Sequence, residues 1–567
     1  MKKSIPVLSL FFLLQISLLS SFSYSQTWAW AKSAGGPQKV ESYAIATDNA
    51  GNSYITGWFE DSLKFGTVTL FSSGNNAFVS DVFLAKYDIN GNFVWAKKAG
   101  GASYDYGNGI TLDTLGNIYV TGLFSLTATF GTHTVTSSGD FDVFIAKYTP
   151  NGTCIWVNRG GGSGWDVGSG VNIDKVGNCY ITGAFRNTAT FGTSSLTSAG
   201  NYDSFVAKYD TAGTFMWARG SGGPDDDRGL GISTDGVSNC YVTGFFNSTV
   251  NIGTSTLTSA GKSDIFLAKY DAIGNSVWAK RERGDSSDVG NSIISDAAGT
   301  MHVTGYFGYA ALFGSGLDTV TLISNGSSED IFVGKFDYKG DVVWVKKMGG
   351  AQNDRGYAIT TDAIGNSYVA GSFFNTAQFD TISISSYNQD DAFVAGLDFY
   401  GKTKRLIKAG GLNPDVARGI STNSSGSCFT TGYFSGAATF GTHTITGFSD
   451  NDLFIARVDS VFINNLPNTG IDEDGVRLKE LLAYPNPSST DITFQFETTL
   501  SNEKISVELY DLLGKVVTGN AVISEIRTAY NKKQITINRG NLPDGLYFGK
   551  VIAGDKIYTT RLMLINP

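Results

Sequence analysis

Residues 106–124, YGNGITLDTLGNIYVTGLF, decide the fold. The first seven are rich in glycine and short in side chains, which suits a strand that other backbones approach closely. DTLGN then supplies a tight turn, because Asp and Asn bond back to the backbone and Gly accepts positive φ. IYVTGLF alternates with period two and reads as a second strand. Downstream, DVFIAKY (142–148) and CIWVNRGG (154–161) read as a third and a fourth, joined by a similar turn. These are strands a, b, c and d of one unit.

The pattern recurs along the chain. The dipeptide Thr-Gly, Ala-Gly once, recurs in strand b at Gly57, Gly122, Gly183, Gly244, Gly305, Gly371 and Gly432. Trp30, Trp95, Trp156, Trp217, Trp278 and Trp344 each stand 27 residues before their Gly, with Arg405 in the seventh register. Steps between the glycines run from 61 to 66 residues, and the variation lies between a Gly and the next Trp. Seven such units predict an all-β, seven-bladed β-propeller, whose radial arrangement leaves only short, protected edges. A parallel β-helix or solenoid is the runner-up, but these units are long for one coil and its ends would need caps. Phase favours a ring. The first Trp strand, residues 27–34, precedes the first strand a, while the last strand c, DLFIARVD ending at Asp459, has no strand d behind it. Antiparallel pairing of residues 27–34 with 453–458 would complete the seventh blade from both ends.

The recurring G-N-x-Y-[VI]-T-G-x-F followed by D-x-F-[LIV]-A-K-Y-D resembles the SBBP-type β-propeller repeat over about residues 27–459. That resemblance implies the fold and an exported bacterial protein, and it names no ligand. The departures are Val40 where six other units carry Asp, Arg405 for Trp, and VAGLDFYG in unit six.

Both ends of the chain read differently from the repeats. Lys2 and Lys3, an apolar run from Ile5 to about Leu19, and Ser23-Tyr24-Ser25 before Gln26 read as a signal peptide over residues 1–25. The run is short of the ~20 apolar residues a spanning helix needs. The propeller is expected over 26–460 and a polar linker over 461–478. Strand patterning then returns over 479–567, suggesting a small β-sandwich. Three pieces of this tail, in order, resemble the type A C-terminal sorting domain of the type IX secretion pathway. They are Tyr484-Pro485-Asn486-Pro487, LYDLLGKVV with Gly514, and Leu542-Pro543 with Gly545 and Tyr547. The resemblance implies the type IX machinery as a partner, passage across the outer membrane of a Gram-negative cell, and removal of the tail, often with attachment of the remainder to the surface. A carbohydrate-binding or immunoglobulin-like accessory module is the plainer alternative for the tail.

Composition removes several function classes. A net charge of −9 repels phosphate backbones, so nucleic acid is not an expected partner. The only histidines are His133, His302 and His443, and the first and last share the repeat position FGTHT. Histidine acid–base chemistry, a Ser-His-Asp triad or a His-rich zinc site therefore has little to stand on. Cys179, Cys240 and Cys428 occupy one repeat position and, with Cys154, are expected to be buried thiols. The Trp register is expected to pack between blades.

Six acids share one register at the start of strand a: Asp105, Asp166, Asp227, Asp288, Asp354 and Asp415. A ring of carboxylates at one channel mouth has the oxygen chemistry that calcium takes. Alternatively each accepts hydrogen bonds from turn amides in its own loop, and repetition in every unit but one favours that structural reading. No other cofactor is expected. The d–a loops and b–c segments, including Phe65-Gly66-Thr67, fall on the face opposite the D-x-x-G-N turns. This elaborated face is the expected binding surface, with Phe71 and Phe78 in FSSGNNAFVSD (71–81) and the longer loop at 315–330 singled out.

The resulting expectation is a non-enzymatic binding or adhesion protein, secreted or attached to the outer cell surface, with a glycan or protein ligand. A polysaccharide-active glycosidase or lyase on the same scaffold is the alternative, since glycosidases need only two carboxylates. A purely structural surface scaffold is a third.

Overall fold

The computed structural model describes residues 28–458, apart from 75–77, 316–318, 327, 363–364 and 424–425, and the strands of a second unit after 478. Contacts divide the chain into two units, Met1–Ser460 and Val461–Pro567. The described residues are strands and connections, without a helix.

The first unit is built of β-propeller repeats. In one of them Tyr106–Leu112 pairs antiparallel with Ile118–Phe124, which pairs with Asp142–Tyr148, which pairs with Cys154–Gly162. Strands b and c are buried along their whole length, so both faces of the blade are covered by neighbours. The a–b turn has the predicted chemistry: Asp113 Oδ1 accepts from the Leu115 and Asn117 amides at 3.0 and 2.9 Å, and Oδ2 accepts from Asn117 Nδ2 at 2.8 Å. Tyr119 reaches the same Oδ2 with its hydroxyl at 3.3 Å, which gives the Asn-x-Tyr spacing a physical role. Gly116, at φ 79°, completes the turn.

Each unit holds more than the four strands read from sequence. The b–c segment folds into a further hairpin, as in Thr127–Phe130 with His133–Thr136. The first hairpin strand also pairs with strand d of the preceding unit, Phe93–Gly101. The Phe-Gly-Thr segments are therefore cross-links between units rather than free loops. Phe65, Phe130, Phe313, Phe379 and Phe440 in this register are buried in the core. The turn needs positive φ, supplied by Gly66, Gly131, Gly192, Gly253, Gly314 and Gly441, and by Asp380 in unit six.

Tryptophans join the units on the opposite edge. A Cβ on Gly91, Gly152, Gly213, Gly274, Gly340 or Gly401 would collide with Trp30, Trp95, Trp156, Trp217, Trp278 or Trp344 of the preceding strand d. Only glycine in these c–d turns leaves room for the indole.

The a strands neighbour one another in sequence: Val40–Thr47, Tyr106–Leu112, Val167–Ile173, Asp227–Thr234, Val289–Ser295, Arg355–Thr361 and Asp415–Thr422, the last lying beside the first. Trp28–Ala34 lies antiparallel to Asp452–Val458, with Trp30 opposite Arg457 and Ala34 opposite Leu453. Asp452–Val458 pairs on its other side with Cys428–Phe434, so the first strand of the chain stands in strand d position of the last unit. Cys154, Cys179, Cys240 and Cys428 are buried free thiols.

The described residues of the second unit form two four-stranded sheets. One orders Lys479–Glu480, Lys556–Leu564, Gly545–Ala553 and Ile505–Tyr510; the other orders Leu482–Tyr484, Ile492–Glu497, Lys532–Asn538 and Val522–Ala529. Phe494, Leu509, Ile535, Ile537, Tyr547 and Val551 are buried.

Candidate functional site

The six aspartates of the shared register are not gathered into one site. Each is buried at the junction between two units, where it faces a second aspartate from the start of the preceding strand c: Asp81 with Asp105, Asp142 with Asp166, Asp203 with Asp227, Asp264 with Asp288, Asp330 with Asp354 and Asp391 with Asp415. Backbone amides hold both members. Gly101 and Ser125 donate to Asp105 at 2.7 and 3.3 Å, and Ser73 donates to Asp81 at 3.0 Å. The two carboxyls approach closely enough that a Cβ on Gly100 would lie 2.6 Å from Asp81 Oδ1 and 2.7 Å from Asp105 Oδ2.

Burial, opposed by the amides and reinforced by the facing aspartate, pushes Asp105, Asp227, Asp288 and Asp415 up to about 8 and Asp166 and Asp354 to about 7. Two buried carboxyls this close cannot both ionise cheaply, and one proton held between them relieves the repulsion. Such perturbed acids are common in active sites, but these are repeated at six junctions and closed to solvent. Among the described residues no group of three or more His, Cys, Asp or Glu side chains could hold a metal. Glu282 is a non-repeated acid pushed to about 8 by burial, beside a cavity of about 320 Å³. The other acid lining that cavity, Asp341, is tied to Lys280 at 2.5 Å.

Phe71 ends a hairpin strand, Val68–Phe71, rather than lying in a loop, and it is 66% exposed; Phe78 is 59% exposed. Pro485, Asn486, Pro487 and Gly514 lie outside the described residues, as do the signal segment and the linker. Tyr484 and Gly545 lie in strands, and Tyr547 is buried in the second unit.

A different set of residues comes together on the a strands. Every a strand carries a β-bulge against its strand b, with one extra residue between two paired ones: Tyr43, Asn108, Ser169, Leu230, Asn291, Tyr357 and Arg418. The flanking positions are nearly constant, Ser, Gly or Ala on either side, whereas the bulge residue is aromatic, amide, hydroxyl, aliphatic or cationic. Bulges re-aim side chains and concentrate near functional sites. Asn108 and Asn291 donate to carbonyls of the next a strand, Gly168 at 2.9 Å and Gly356 at 2.8 Å. Arg418, Tyr357 and Tyr43 meet across three neighbouring strands, the guanidinium lying 4.1 Å from the Tyr357 ring centre and 5.9 Å from that of Tyr43.

Around them stand further aromatic and charged groups from the same end of the a strands. Arg355 lies 5.0 Å from the Tyr306 ring and donates to Glu329 at 2.5 Å. Arg228 lies 4.5 Å from the Tyr202 ring and 3.8 Å from Asp226. Trp58 packs on Tyr106 with ring centres 5.2 Å apart. Sequence reasoning passed over the bulge position, although aligning the seven a strands exposes it as the variable residue inside a constant frame.

Comparison with known proteins agrees with both parts of the chain. Residues 29–58 and 94–123 match the beta-propeller repeat family, and residues 482–566 match the secretion system C-terminal sorting domain. The chain thus carries SBBP repeats and a sorting domain of the type IX pathway, and is secreted or attached to the cell surface. An uncharacterised WD repeat-containing protein of Acanthamoeba polyphaga mimivirus is 25% identical over 434 residues, 61% of this chain and 31% of that protein. The regulatory protein FlaEY of Caulobacter vibrioides is 30% identical over 111 residues, 20% of this chain and 12% of that one. The chain thus spans less than a third of the length of either relative. Among solved structures, Sqt1 from Chaetomium thermophilum has 10% identity and a TM-score of 0.32, covering 76% of this chain and 100% of that one. A mutant of puromycin hydrolase has 9% identity and a TM-score of 0.34, covering 81% and 59%.

Proposed function

We propose that residues 26–460 form a closed seven-bladed propeller that, delivered to the surface of a Gram-negative cell, binds its ligand without chemistry at the channel mouth where the a strands begin. Residues 1–25 act as the signal peptide, 461–478 as the linker and 479–567 as the sorting domain that engages the type IX machinery. Closure is supported by the antiparallel pairing of Trp28–Ala34 with Asp452–Val458 and by the circuit of a strands. Arg405 supports it too. In every other unit the Trp of strand d rests on the c–d turn glycine of the unit that follows. The unit after Arg405 takes its strands c and d from opposite ends of the chain, so it has no c–d turn for an indole to rest on.

The observation that carries the binding reading is the bulge ring, one conformation repeated with seven independently chosen side chains. Scaffold positions repeat because the same packing problem recurs, and a ligand surface differs from blade to blade because a ligand lacks the ring's symmetry. The enzymatic alternative would call for two non-repeated acids in an open pocket. Of the non-repeated acids that burial raises, Glu60, Glu282 and Asp390, Glu282 is raised to about 8, and it is buried and accepts from the Gly314 amide at 2.6 Å.

Glycan and surface-protein arrays probed with the mature secreted protein test this reading, beside a hydrolysis screen on any glycan that binds. Binding that Tyr43→Ala or Tyr357→Ala weakens, without turnover, is the expected result. Turnover of a bound glycan, or binding indifferent to both substitutions, would contradict it.

A further inference from the structure

Arg418 stands among aromatic rings without a counter-ion, unlike two other arginines near the bulge residues. Arg355 is matched by Glu329 and Arg228 by Asp226. No acidic side chain among the described residues forms an ion pair with Arg418, and its Nε has no hydrogen-bond partner there. The nearest acid on the adjoining a strand, Glu41, is held elsewhere: Oε2 accepts from the Tyr43 hydroxyl at 3.0 Å and Oε1 from Asn451 Nδ2 at 2.6 Å. What surrounds the guanidinium instead is aromatic, with the rings of Tyr357, Tyr433 and Tyr43 at 4.1, 5.7 and 5.9 Å.

A half-buried cation among rings gains some cation–π attraction, and beyond its side-chain bond to Tyr433 it keeps donors of a planar fork, the geometry that matches a carboxylate in two parallel bonds. The phenol rings add flat apolar faces edged with hydroxyls, which suit a ring-shaped body carrying hydroxyl groups. We infer that this Arg418–tyrosine cage is the subsite for a sugar carboxylate, so that the ligand is an acidic, uronate-type saccharide. The carboxylate takes the guanidinium fork, and the pyranose ring lies against Tyr357 and Tyr43. This rests on the binding reading above and narrows it to one ligand class.

The test is calorimetric titration of the mature secreted protein with trigalacturonate, with neutral galactotriose and with benzoate. Trigalacturonate is expected to bind, and the neutral trisaccharide to bind roughly tenfold or more weakly, the loss expected when a charged bidentate pair is absent. Arg418→Met should abolish the preference, and Tyr357→Leu should weaken both sugars together. Arg418→Lys keeps the charge without the fork and should lie between wild type and Arg418→Met, which serves if the methionine variant melts early by circular dichroism. Equal affinity for the two trisaccharides, or a uronate preference that survives in Arg418→Lys and Arg418→Met alike, overturns the inference. Binding of benzoate without trigalacturonate overturns the saccharide assignment. A neutral glycan captured through the tyrosines, indifferent to Arg418, sinks this inference and leaves the binding function standing, whereas arrays without any ligand sink both.

Discussion

Six of the junctions between units are built alike, and the place where Trp28–Ala34 meets Asp452–Val458 is not. At the six, an aspartate opening strand c faces an aspartate opening the next strand a. At that seam, Asp452 faces the position of Val40, which is fully buried among apolar side chains. Asp452 accepts from the amides of Gly36 and Ser449, at 3.3 and 3.0 Å, and burial alone pushes its carboxyl up. Trp28 ties the seam strand to the last unit and the one before it: its indole donates to the Lys408 carbonyl at 3.1 Å, its ring meets Phe440 edge-on at 5.0 Å, and its carbonyl lies 3.1 Å from His443 Nε2. The departures from the repeat at Val40 and Arg405 thus both border the unit assembled from two ends of the chain. Covalent continuity joins c to d everywhere else; at this seam apolar burial and strand pairing do the joining alone.

Removing the seam strand should have the largest effect. A mature chain beginning at Gly36 loses two buried tryptophans, each worth about 3–5 kcal/mol, and exposes the edge of Asp452–Val458 to aggregation. Thermal unfolding should become broad and shift down for the whole first unit. A truncated chain that melts as sharply and as high as the full one would show that the seam carries no load.

The junction acids predict the next largest effect. Their folded pKa values, about 7 to 8, lie above the ordinary value of 3.8, so the folded state binds more protons than the unfolded one between those limits. Their contribution is complete below about pH 4 and is lost as pH rises through 8. The melting temperature should therefore fall by several degrees between pH 5.5 and pH 9, judged from the roughly 2–4 °C per kcal/mol of mid-sized domains. A flat or rising profile would remove the shared proton from the account.

One junction can be changed at a time. Asp105→Asn keeps an acceptor for the Gly101 amide and offers a fixed donor to Asp81, so it should be near neutral at pH 5.5 and stabilising by about 1 kcal/mol at pH 9. Asp452→Asn at the seam, raised by burial but with no aspartate opposite, should show a smaller gain. Equal responses at the two sites would erase the distinction between junction and seam.

Much of this was legible in the sequence, and what was not has physical reasons. Strands a to d announce themselves by period-two patterning and by turns whose Asp, Gly and Asn act locally, within five residues. The pairing of the first strand with the last followed from phase, since Trp30 stands ahead of any strand a and DLFIARVD has nothing behind it. The b–c hairpins were hidden because their strands are four residues long in five units and run on from strands b and c in the other two, and because their second partner is a strand of the preceding unit. The facing aspartates were read as single acceptors, since only the junction brings Asp81 to Asp105. The row of bulges was missed because an extra residue is a property of pairing with strand b and leaves no turn or charge signal of its own.

The smallest expected effect concerns the hairpin entrance, where Asp61, Leu126, Asn187, Ser248, Tyr309, Asn375 and Gly436 all take positive φ. Leu126, at φ 57°, is strained where Gly436 is not. Leu126→Gly should raise stability by up to about 1 kcal/mol, and Gly436→Leu beside the seam should lower it by a similar amount. Opposite signs in a chemical melt would show that this strain is unimportant.

Hydrogen exchange read by mass spectrometry on the intact protein tests closure most directly. If the ring is joined at the seam, the amides of Trp28–Ala34 exchange as slowly as those of Cys154–Gly162, a strand d whose strand c precedes it in the chain. Exchange of residues 28–34 at the rate of surface loops, with the other d strands still protected, would contradict it.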